Sequence, residues 1–134
     1  MTTYPRLKMK ELITTDKQTG QVGNFNLGAT DGDLVFTAGQ VPETDDGEVL
    51  TDAPIEEQTD QCLANIASVL ESEGLSLDHV LKTNVYLVDI QNWERFNEAY
   101  GKHFDELPAR TTVGVTGLWG GVDVEIEAIA TTEL

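Results

Sequence analysis

Arg110 is the residue whose type and setting most clearly suit chemistry on a small molecule. It is the only charged residue between Leu107 and Val122, and it opens an apolar, β-branched segment. Taking a guanidinium out of water is costly unless an anion meets it. Its planar fork can hold a carboxylate through two parallel hydrogen bonds, which a Lys cannot do. An internal salt bridge to one of the many acidic residues would meet the same need, and local spacing does not decide between the two.

The other residues that could do chemistry are weaker candidates. Cys62 falls on the apolar side of a predicted helix, so we interpret it as a small buried side chain rather than a nucleophile. His79 precedes a predicted strand and His103 ends a predicted helix, and neither has a Cys or a second His at metal-ligand spacing. The sequence therefore predicts no metal site. It also has no Gly-x-Ser-x-Gly hydrolase motif and no glycine-rich phosphate loop.

Length and composition predict one domain over residues 1–134, long enough for a real core. A single cysteine is compatible with a reducing cytoplasm. No apolar run approaches the length of a membrane span, and the start of the chain does not have a signal-peptide pattern. We therefore expect a cytoplasmic protein with no membrane partner.

The chain is strongly acidic, with 24 acidic and 8 basic residues and a formal charge of −16. Nucleic-acid binding normally needs clustered Lys and Arg, so a polynucleotide partner is disfavoured. A solvated acidic surface with few Lys is what we expect of a protein from a salt-loving organism. The acidic residues of predicted turns and outer helix faces are Asp45, Asp46, Glu48, Glu56, Glu57, Asp60, Glu71 and Glu73.

The elements that must position Arg110 follow from apolar periodicity. In chain order they are a short strand near 11–15 before a turn at 16–20, a hairpin of strands over 24–29 and 34–38, a helix capped by Asp52 and stopped by Gly74, a strand over 81–88, a helix over 91–104, and strands over 110–116 and 122–130. This order implies an α+β domain, with a mixed sheet and both helices on one face.

The last strand and the second helix each have a distinctive face. In the last strand Glu125 and Glu127 share the face opposite Val124 and Ile126, and that face must meet water or another subunit. In the second helix an aromatic stripe occupies one face, which we interpret as core packing rather than a cofactor site. The stripe consists of Trp93, Phe96, Tyr100 and Phe104.

Five segments together resemble the YjgF/Rid family of reactive-intermediate (enamine/imine) deaminases. They are GDLVFTAGQVP at 32–42, QCLANI at 61–66, KTNVYLVD at 82–89, the stretch from Phe104 to PARTTV at 108–113, and VEIEAIA at 124–130. Each segment is weak alone, but they occur in order and at the family's spacing over residues 23–130.

The resemblance implies a homotrimer with a chorismate-mutase-like central barrel and ligand clefts between neighbouring subunits. It also implies cofactor-free hydrolysis of enamines and imines such as 2-aminoacrylate to a 2-keto acid and ammonia. By position, Arg110 resembles the family's carboxylate-binding Arg, and Glu125 resembles its water-orienting acid, although an ordinary surface Glu is the simpler interpretation of that residue alone. Gly39 resembles the glycine whose backbone lies against the ligand, and the Thr112 backbone is a further candidate contact.

Three positions depart from the pattern of many deaminating members. This chain has Phe25 in place of a Tyr, Ala38 in place of a Ser, and Thr112 in place of a Cys. The predicted cleft is therefore drier. Two interpretations are open: a deaminase for larger or more apolar imines, or a member that binds small carboxylates without efficient turnover. Some family members are linked to RNA cleavage, and the acidity of this chain argues against that activity here. The alternation along the last strand does not tell whether Glu125 or Glu127 faces the cleft.

Overall fold

The strands and helices come from the segments with the clearest periodicity. The computed structural model describes residues 10–14 and 24–134. Its strands are β1 (Glu11–Ile13), β2 (Gly28–Thr30), β3 (Leu34–Thr37), β4 (Val80–Leu87), β5 (Ala109–Gly114) and β6 (Val124–Thr131). Its α-helices are α1 (Ile55–Glu71) and α2 (Trp93–Gly101), with short 3₁₀ turns at Leu77–His79, Ile90–Asn92 and Trp119–Gly121. The predicted order of elements is confirmed, and the predicted turn at 16–20 lies outside the described residues.

The six strands form one mixed sheet in the order β1-β2-β3-β6-β4-β5. The β4–β5 pair is parallel and the other pairs are antiparallel. A parallel pair needs a crossover connection, and α2 supplies it. Because β5 follows that crossover, Arg110 lies on an edge strand beside α2. The predicted α+β fold with a mixed sheet and two helices is confirmed.

The core lies between the helices and one face of the sheet. Along β6, buried and half-buried residues alternate without a break, so Val124, Ile126, Ala128 and Ala130 are at most 2% exposed. They pack with the apolar side of α1, where the Cys62 thiol lies 3.7 Å from the Val124 carbonyl. Burial raises the pKa of Cys62 well above its usual value. The interpretation of Cys62 as a buried side chain is confirmed.

Several predicted boundaries were wrong for local reasons. Asp52 does not cap α1: the N-cap is Pro54, and no side chain caps it. Instead Gln58 holds the first turn, since its Nε2 donates to the carbonyl of Ala53 and its backbone N–H donates to that of Pro54. At the other end Gly74 takes a left-handed φ of +74° just beyond the helix, as expected of a residue that stops it.

The second helix and several strands are shorter than predicted. α2 begins at Trp93 because a 3₁₀ turn precedes it, with the Asp89 side chain accepting a hydrogen bond from the Gln91 N–H. β2 begins only at Gly28, and β6 begins at Val124 rather than Val122. No helix in the described part of the chain is long and apolar enough to cross a membrane.

The acidic surface gives a first prediction, a dependence of stability on salt. With 24 acidic and 8 basic residues, most acidic side chains cannot pair one-to-one with a cation. Raising salt from about 0.01 M to 1 M shortens the Debye length from about 30 Å to about 3 Å, which screens the repulsion. We expect Tm to rise over this range of KCl. Chloride is the suitable salt because sulfate stabilises most proteins by exclusion from their surfaces. A Tm that does not change with KCl would contradict this expectation.

Candidate active site

Arg110 is held by side chains of α2. Its guanidinium carbon lies 5.1 Å from the ring centroid of Trp93, 5.2 Å from that of Phe96 and 4.9 Å from that of Tyr100. Its Nη2 donates a hydrogen bond of 2.6 Å to Asn97 Oδ1. Each ring lies within the distance at which a cation is attracted to an aromatic face. One helix therefore fixes both the position and the orientation of the guanidinium.

The guanidinium keeps donors for a ligand. Among residues 10–14 and 24–134, Arg110 has no salt bridge, so the internal ion pair that the sequence left open gains no support there. The bond to Asn97 uses one of five N–H groups, and an Arg remains protonated in proteins although burial lowers the pKa of Arg110. A planar anion such as a carboxylate can accept hydrogen bonds from the remaining N–H groups of the guanidinium.

The aromatic stripe has two roles rather than one. Phe96, Tyr100 and Phe104 are at most 9% exposed and belong to the core, as predicted. Tyr100 also bonds the buried Thr83 hydroxyl, with 2.7 Å between the oxygens. Trp93 is 40% exposed, so its assignment to the core was wrong. Its indole covers the guanidinium of Arg110 instead.

Glu125 lines a separate pocket on the other face of the sheet. The pocket has a volume of about 340 Å³. Its lining residues are Phe25, Ala38, Gly39, Val41, Trp119 and Glu125. Phe25, Ala38, Gly39 and Glu125, which the sequence assigned to one site by resemblance, thus meet at one place. The pocket's volume is at the lower end of those that hold small organic ligands, about 300–1,000 Å³.

Gly39 is adjacent to the Glu125 carboxylate because the backbone beyond β3 pairs with β6. Gln40 and Ile126 exchange backbone hydrogen bonds of 2.7 and 3.1 Å. A β-carbon on Gly39 would overlap Oε2 of Glu125. The missing side chain therefore leaves the space that the carboxylate occupies.

The pKa of Glu125 is raised, first by burial and then by the neighbouring charge of Glu127. Glu127 accepts a hydrogen bond of 2.7 Å from the Tyr86 hydroxyl, and this bond is the main cause that raises the pKa of Tyr86 to about 12. The two glutamates therefore differ. Glu125 lines the pocket and Glu127 is bonded to a tyrosine, a distinction that strand periodicity alone could not make. A carboxylate with a raised pKa in a pocket is a candidate acid–base group.

Arg110 and Glu125 lie on opposite faces of the sheet. Arg110 is paired with Thr83, which is buried under α2, whereas Glu125 is paired with Tyr86 on the uncovered face. Paired residues share a face, and β4 separates the two strands. One ligand can contact both side chains only if two chains contribute to the site.

Thr112 lies two residues beyond Arg110 on the same face of β5, paired with Val85. Its hydroxyl is buried and has no hydrogen-bond partner among the residues that the structure describes. Those residues contain no group of three His, Cys, Asp or Glu that could hold a metal ion. His79 instead accepts a hydrogen bond from the Ser76 N–H, and His103 lies 2.7 Å from Asp60.

The sequence profile of the family described as Endoribonuclease L-PSP matches residues 15–132. The chain belongs to this family, which is the YjgF/Rid family. A RutC family protein of Saccharolobus solfataricus is 42% identical over 123 residues, which are 91% of this chain and 98% of that protein. Escherichia coli TdcF, named as a candidate reactive intermediate deaminase, is 35% identical over 127 residues, covering 91% and 97% of the two chains.

Solved structures of YjgF/Rid proteins share the fold. A candidate endoribonuclease of Thermotoga maritima superposes with a TM-score of 0.88 at 37% identity, covering 94% of this chain and all of that one. Escherichia coli TdcF crystallised with bound serine gives a TM-score of 0.85 at 31% identity, covering 92% and 99%. The predicted family and fold are therefore confirmed.

Sequence reasoning missed three residues that contact Arg110 or line the Glu125 pocket. Asn97 bonds Arg110, and Trp119 and Val41 line the pocket of Glu125. Asn97 follows Trp93 by four residues, so it shares the helix face that points to Arg110.

The contact between Gly39 and Glu125 gives a second prediction. A Gly39→Ala substitution should displace the carboxylate and lower the activity of the site, because the added methyl group takes its space. The fold should survive, since Gly39 is only half-buried in a loop. We expect slower turnover of any substrate that reacts at this carboxylate, with little change in Tm. Gly101→Ala is the matched control, because nothing lies within 4 Å of its β-carbon position; wild-type kcat in Gly39→Ala would contradict the close approach.

Proposed function

We propose that the protein hydrolyses reactive 2-enamine and 2-imine intermediates to 2-keto acids and ammonia, without a cofactor. The observation that carries the proposal is Arg110, a fixed guanidinium with donors left for an anion. The Glu125 pocket supports it by offering an acid–base group beside space for a small ligand. The relative TdcF supports it too, because it is named as a candidate reactive intermediate deaminase and was crystallised with serine.

In the proposed reaction Arg110 binds the carboxylate of a 2-imino acid through two N–H groups. Glu125 accepts a hydrogen bond from a water molecule and removes its proton as the oxygen bonds to the imine carbon. The C=N bond becomes a C–N single bond in this step. Glu125 then returns this proton to nitrogen, which gives a carbinolamine. The hydroxyl proton next passes through Glu125 to nitrogen as the C=O bond forms and the C–N bond breaks, so that ammonia leaves and a 2-keto acid remains. An enamine enters the same sequence once it has gained a proton on its β-carbon and lost one from nitrogen.

The proposed assembly is a homotrimer with the site between subunits. It is supported by the opposite orientations of Arg110 and Glu125, since one ligand reaches both only across an interface. It is also supported by large apolar residues on the uncovered sheet face, which favour a protein partner over water. Those residues include Leu12 at 56% exposed, Phe36 at 45% and Val113 at 42%.

Mixing two inactive variants tests the shared site. Arg110→Ala and Glu125→Gln chains, unfolded together and refolded, should regain activity, because a site with Arg110 from one chain and Glu125 from the other is intact. Random assembly around a ring of head-to-tail interfaces restores about a quarter of the sites. Each variant refolded alone is the control. No recovery in the mixture, with trimers present by ultracentrifugation, would show that Arg110 and Glu125 do not act together on one ligand across an interface.

The reaction itself is tested by generating 2-aminoacrylate or a bulkier imine in situ and following its loss. Wild-type protein should accelerate the loss, and ammonia and the 2-keto acid should appear in equal amounts. Unchanged decay across several imines would exclude the deaminase proposal.

A second candidate function is binding of small carboxylates without turnover. It is favoured by Phe25 and Ala38, which give the pocket no hydroxyl group. Calorimetry with 2-keto acids should then give heat of binding while imine decay stays unchanged. The endoribonuclease description of the family is less suited to this chain, because a charge of −16 opposes the phosphate backbone of RNA.

A further inference from the structure

The pocket beside Glu125 is apolar except for that carboxylate. Among its lining side chains, Phe25, Val41, Ala38 and Trp119 are apolar or aromatic. Phe25 and Trp119 are 44% and 51% exposed in the chain. Two half-exposed aromatic rings at one small cavity are costly to leave in water and offer a large area for a ligand to cover.

The turn that carries Trp119 is built to hold the indole in place. Gly120 and Gly121 have φ values of +76° and +71°, which side-chain-bearing residues rarely adopt. The Thr51 hydroxyl donates a 2.7 Å hydrogen bond to the Gly120 carbonyl, and a β-carbon on Gly120 would meet Val49 at 3.2 Å. The backbone therefore fixes where Trp119 enters the pocket wall, rather than leaving the ring on a loose loop.

The size of the pocket exceeds what the smallest imino acid needs. A water molecule accounts for about 30 Å³ of liquid, so about 340 Å³ holds on the order of ten groups of that size. The imine of 2-aminoacrylate has only a methyl side chain. With its imine carbon at Glu125, such a ligand is too short to cover the Phe25 and Trp119 rings that the chain leaves half-exposed.

We infer that the site selects 2-imino acids with large apolar side chains, branched or aromatic, and that Trp119 is the residue that sets this preference. The inference rests on the proposed function and extends it by naming the substrate class. The carboxylate binds Arg110 of the partner subunit, the imine carbon lies at Glu125, and the side chain packs against Trp119 and Phe25. In a hydrophobic pocket each added methylene gives roughly tenfold discrimination or more.

The catalytic test compares imines made in situ by an amino-acid oxidase from alanine, leucine and phenylalanine, with semicarbazide as a competing trap. Wild-type kcat/KM should rise from the alanine-derived imine to the other two by about tenfold or more. Trp119→Ala should remove most of that rise, and Trp119→Phe should restore it. Equal kcat/KM values for the three imines in wild type, or an unchanged preference in Trp119→Ala, would overturn the inference while leaving the deaminase proposal intact.

A binding test separates failure of the inference from failure of the proposed function. The chain has two tryptophans, so a Trp93→Phe variant carries Trp119 as its sole indole. Its fluorescence should respond to 4-methyl-2-oxopentanoate and phenylpyruvate at lower concentrations than to pyruvate. That result, together with no imine hydrolysis by the wild-type protein, would refute the deaminase proposal and keep the ligand class. If pyruvate bound as tightly as the two larger 2-keto acids, the inferred preference for large apolar side chains would be refuted, whether or not the protein hydrolyses imines.

Discussion

An Arg110→Ala variant is expected to lose most imine hydrolysis, with kcat/KM lower by about 30- to 5,000-fold. Removing one partner of a hydrogen-bonded charge pair in a desolvated site costs about 2–5 kcal/mol, and each 1.36 kcal/mol is tenfold in rate. Without a ligand, the Arg110 guanidinium already packs against three aromatic rings and donates a hydrogen bond to Asn97. Because Arg110→Ala also removes these contacts, Tm is measured together with kcat/KM, and a loss of activity at an unchanged Tm assigns the effect to ligand binding and orientation.

Arg95→Ala is the matched control for this experiment. Arg95 lies on the same helix as the rings but bonds Glu56 at the surface, with its side chain 57% exposed. An exposed ion pair contributes little to stability, so this variant should keep wild-type kcat/KM. Equal losses in Arg95→Ala and Arg110→Ala would mean that positive charge in general, rather than the Arg110 site, is what the reaction needs.

Two further variants separate the charge of Arg110 from its geometry. Arg110→Lys keeps the charge but loses the planar fork, so it should recover only part of the activity. Asn97→Ala keeps the guanidinium but removes the acceptor that orients it. It should raise KM more than it lowers kcat. Full activity in Arg110→Ala would refute the assigned role.

The sequence predicted the elements around Arg110 but not its environment. Trp93, Phe96 and Tyr100 are spaced so that they share one helix face, and that much is visible in the sequence. Their contact with a guanidinium depends on the parallel pairing of β4 with β5, which brings the edge strand next to α2. Local periodicity contains no information on which strands become neighbours. For the same reason, the spacing of residues around Arg110 could not rule out an internal salt bridge to an acidic residue.

The sequence alone could not tell which of the two glutamates, Glu125 or Glu127, lines the pocket, and here the reason is different. Glu125 and Glu127 differ by two positions, so a period of two puts both on one strand face. They are distinguished by contacts from elsewhere in the chain: Gly39 beyond β3 for one, and Tyr86 on β4 for the other. Residues far apart in sequence therefore decide which carboxylate meets the ligand. The family resemblance chose Glu125, and its chemical role stays a prediction.

A Glu125→Gln variant should lower kcat by about 10²–10⁴-fold, the usual contribution of a general acid–base group. A glutamine fills the same space and can still hydrogen-bond water, but it cannot take the water's proton. Glu127→Gln is the matched control, two residues along β6 and bonded to Tyr86 rather than lining the pocket. It should keep most of the kcat. A large loss in Glu127→Gln with activity retained in Glu125→Gln would reverse the two roles.

The pH dependence gives the same assignment an independent test. Glu125 acts as a base only when ionised, so kcat should fall as pH falls through its raised pKa. The charge of Glu127 is one of the two causes of that rise. Glu127→Gln should therefore shift the acid limb of the pH–rate profile to lower pH, and Glu125→Gln should abolish the limb. An acid limb at the same pH in wild type and Glu127→Gln would mean that another group controls it.

Stability should change in the direction opposite to activity. A carboxyl whose pKa is higher in the folded than in the unfolded chain costs stability when it ionises. The cost is absent below the unfolded pKa, grows as pH rises, and is complete above the folded pKa. Glu125→Gln removes it, so the variant should melt at or above the wild-type Tm at pH 8, and the difference should shrink at pH 4. A lower Tm for Glu125→Gln at pH 8 would mean that the carboxylate stabilises the fold, and its loss of activity could then be structural.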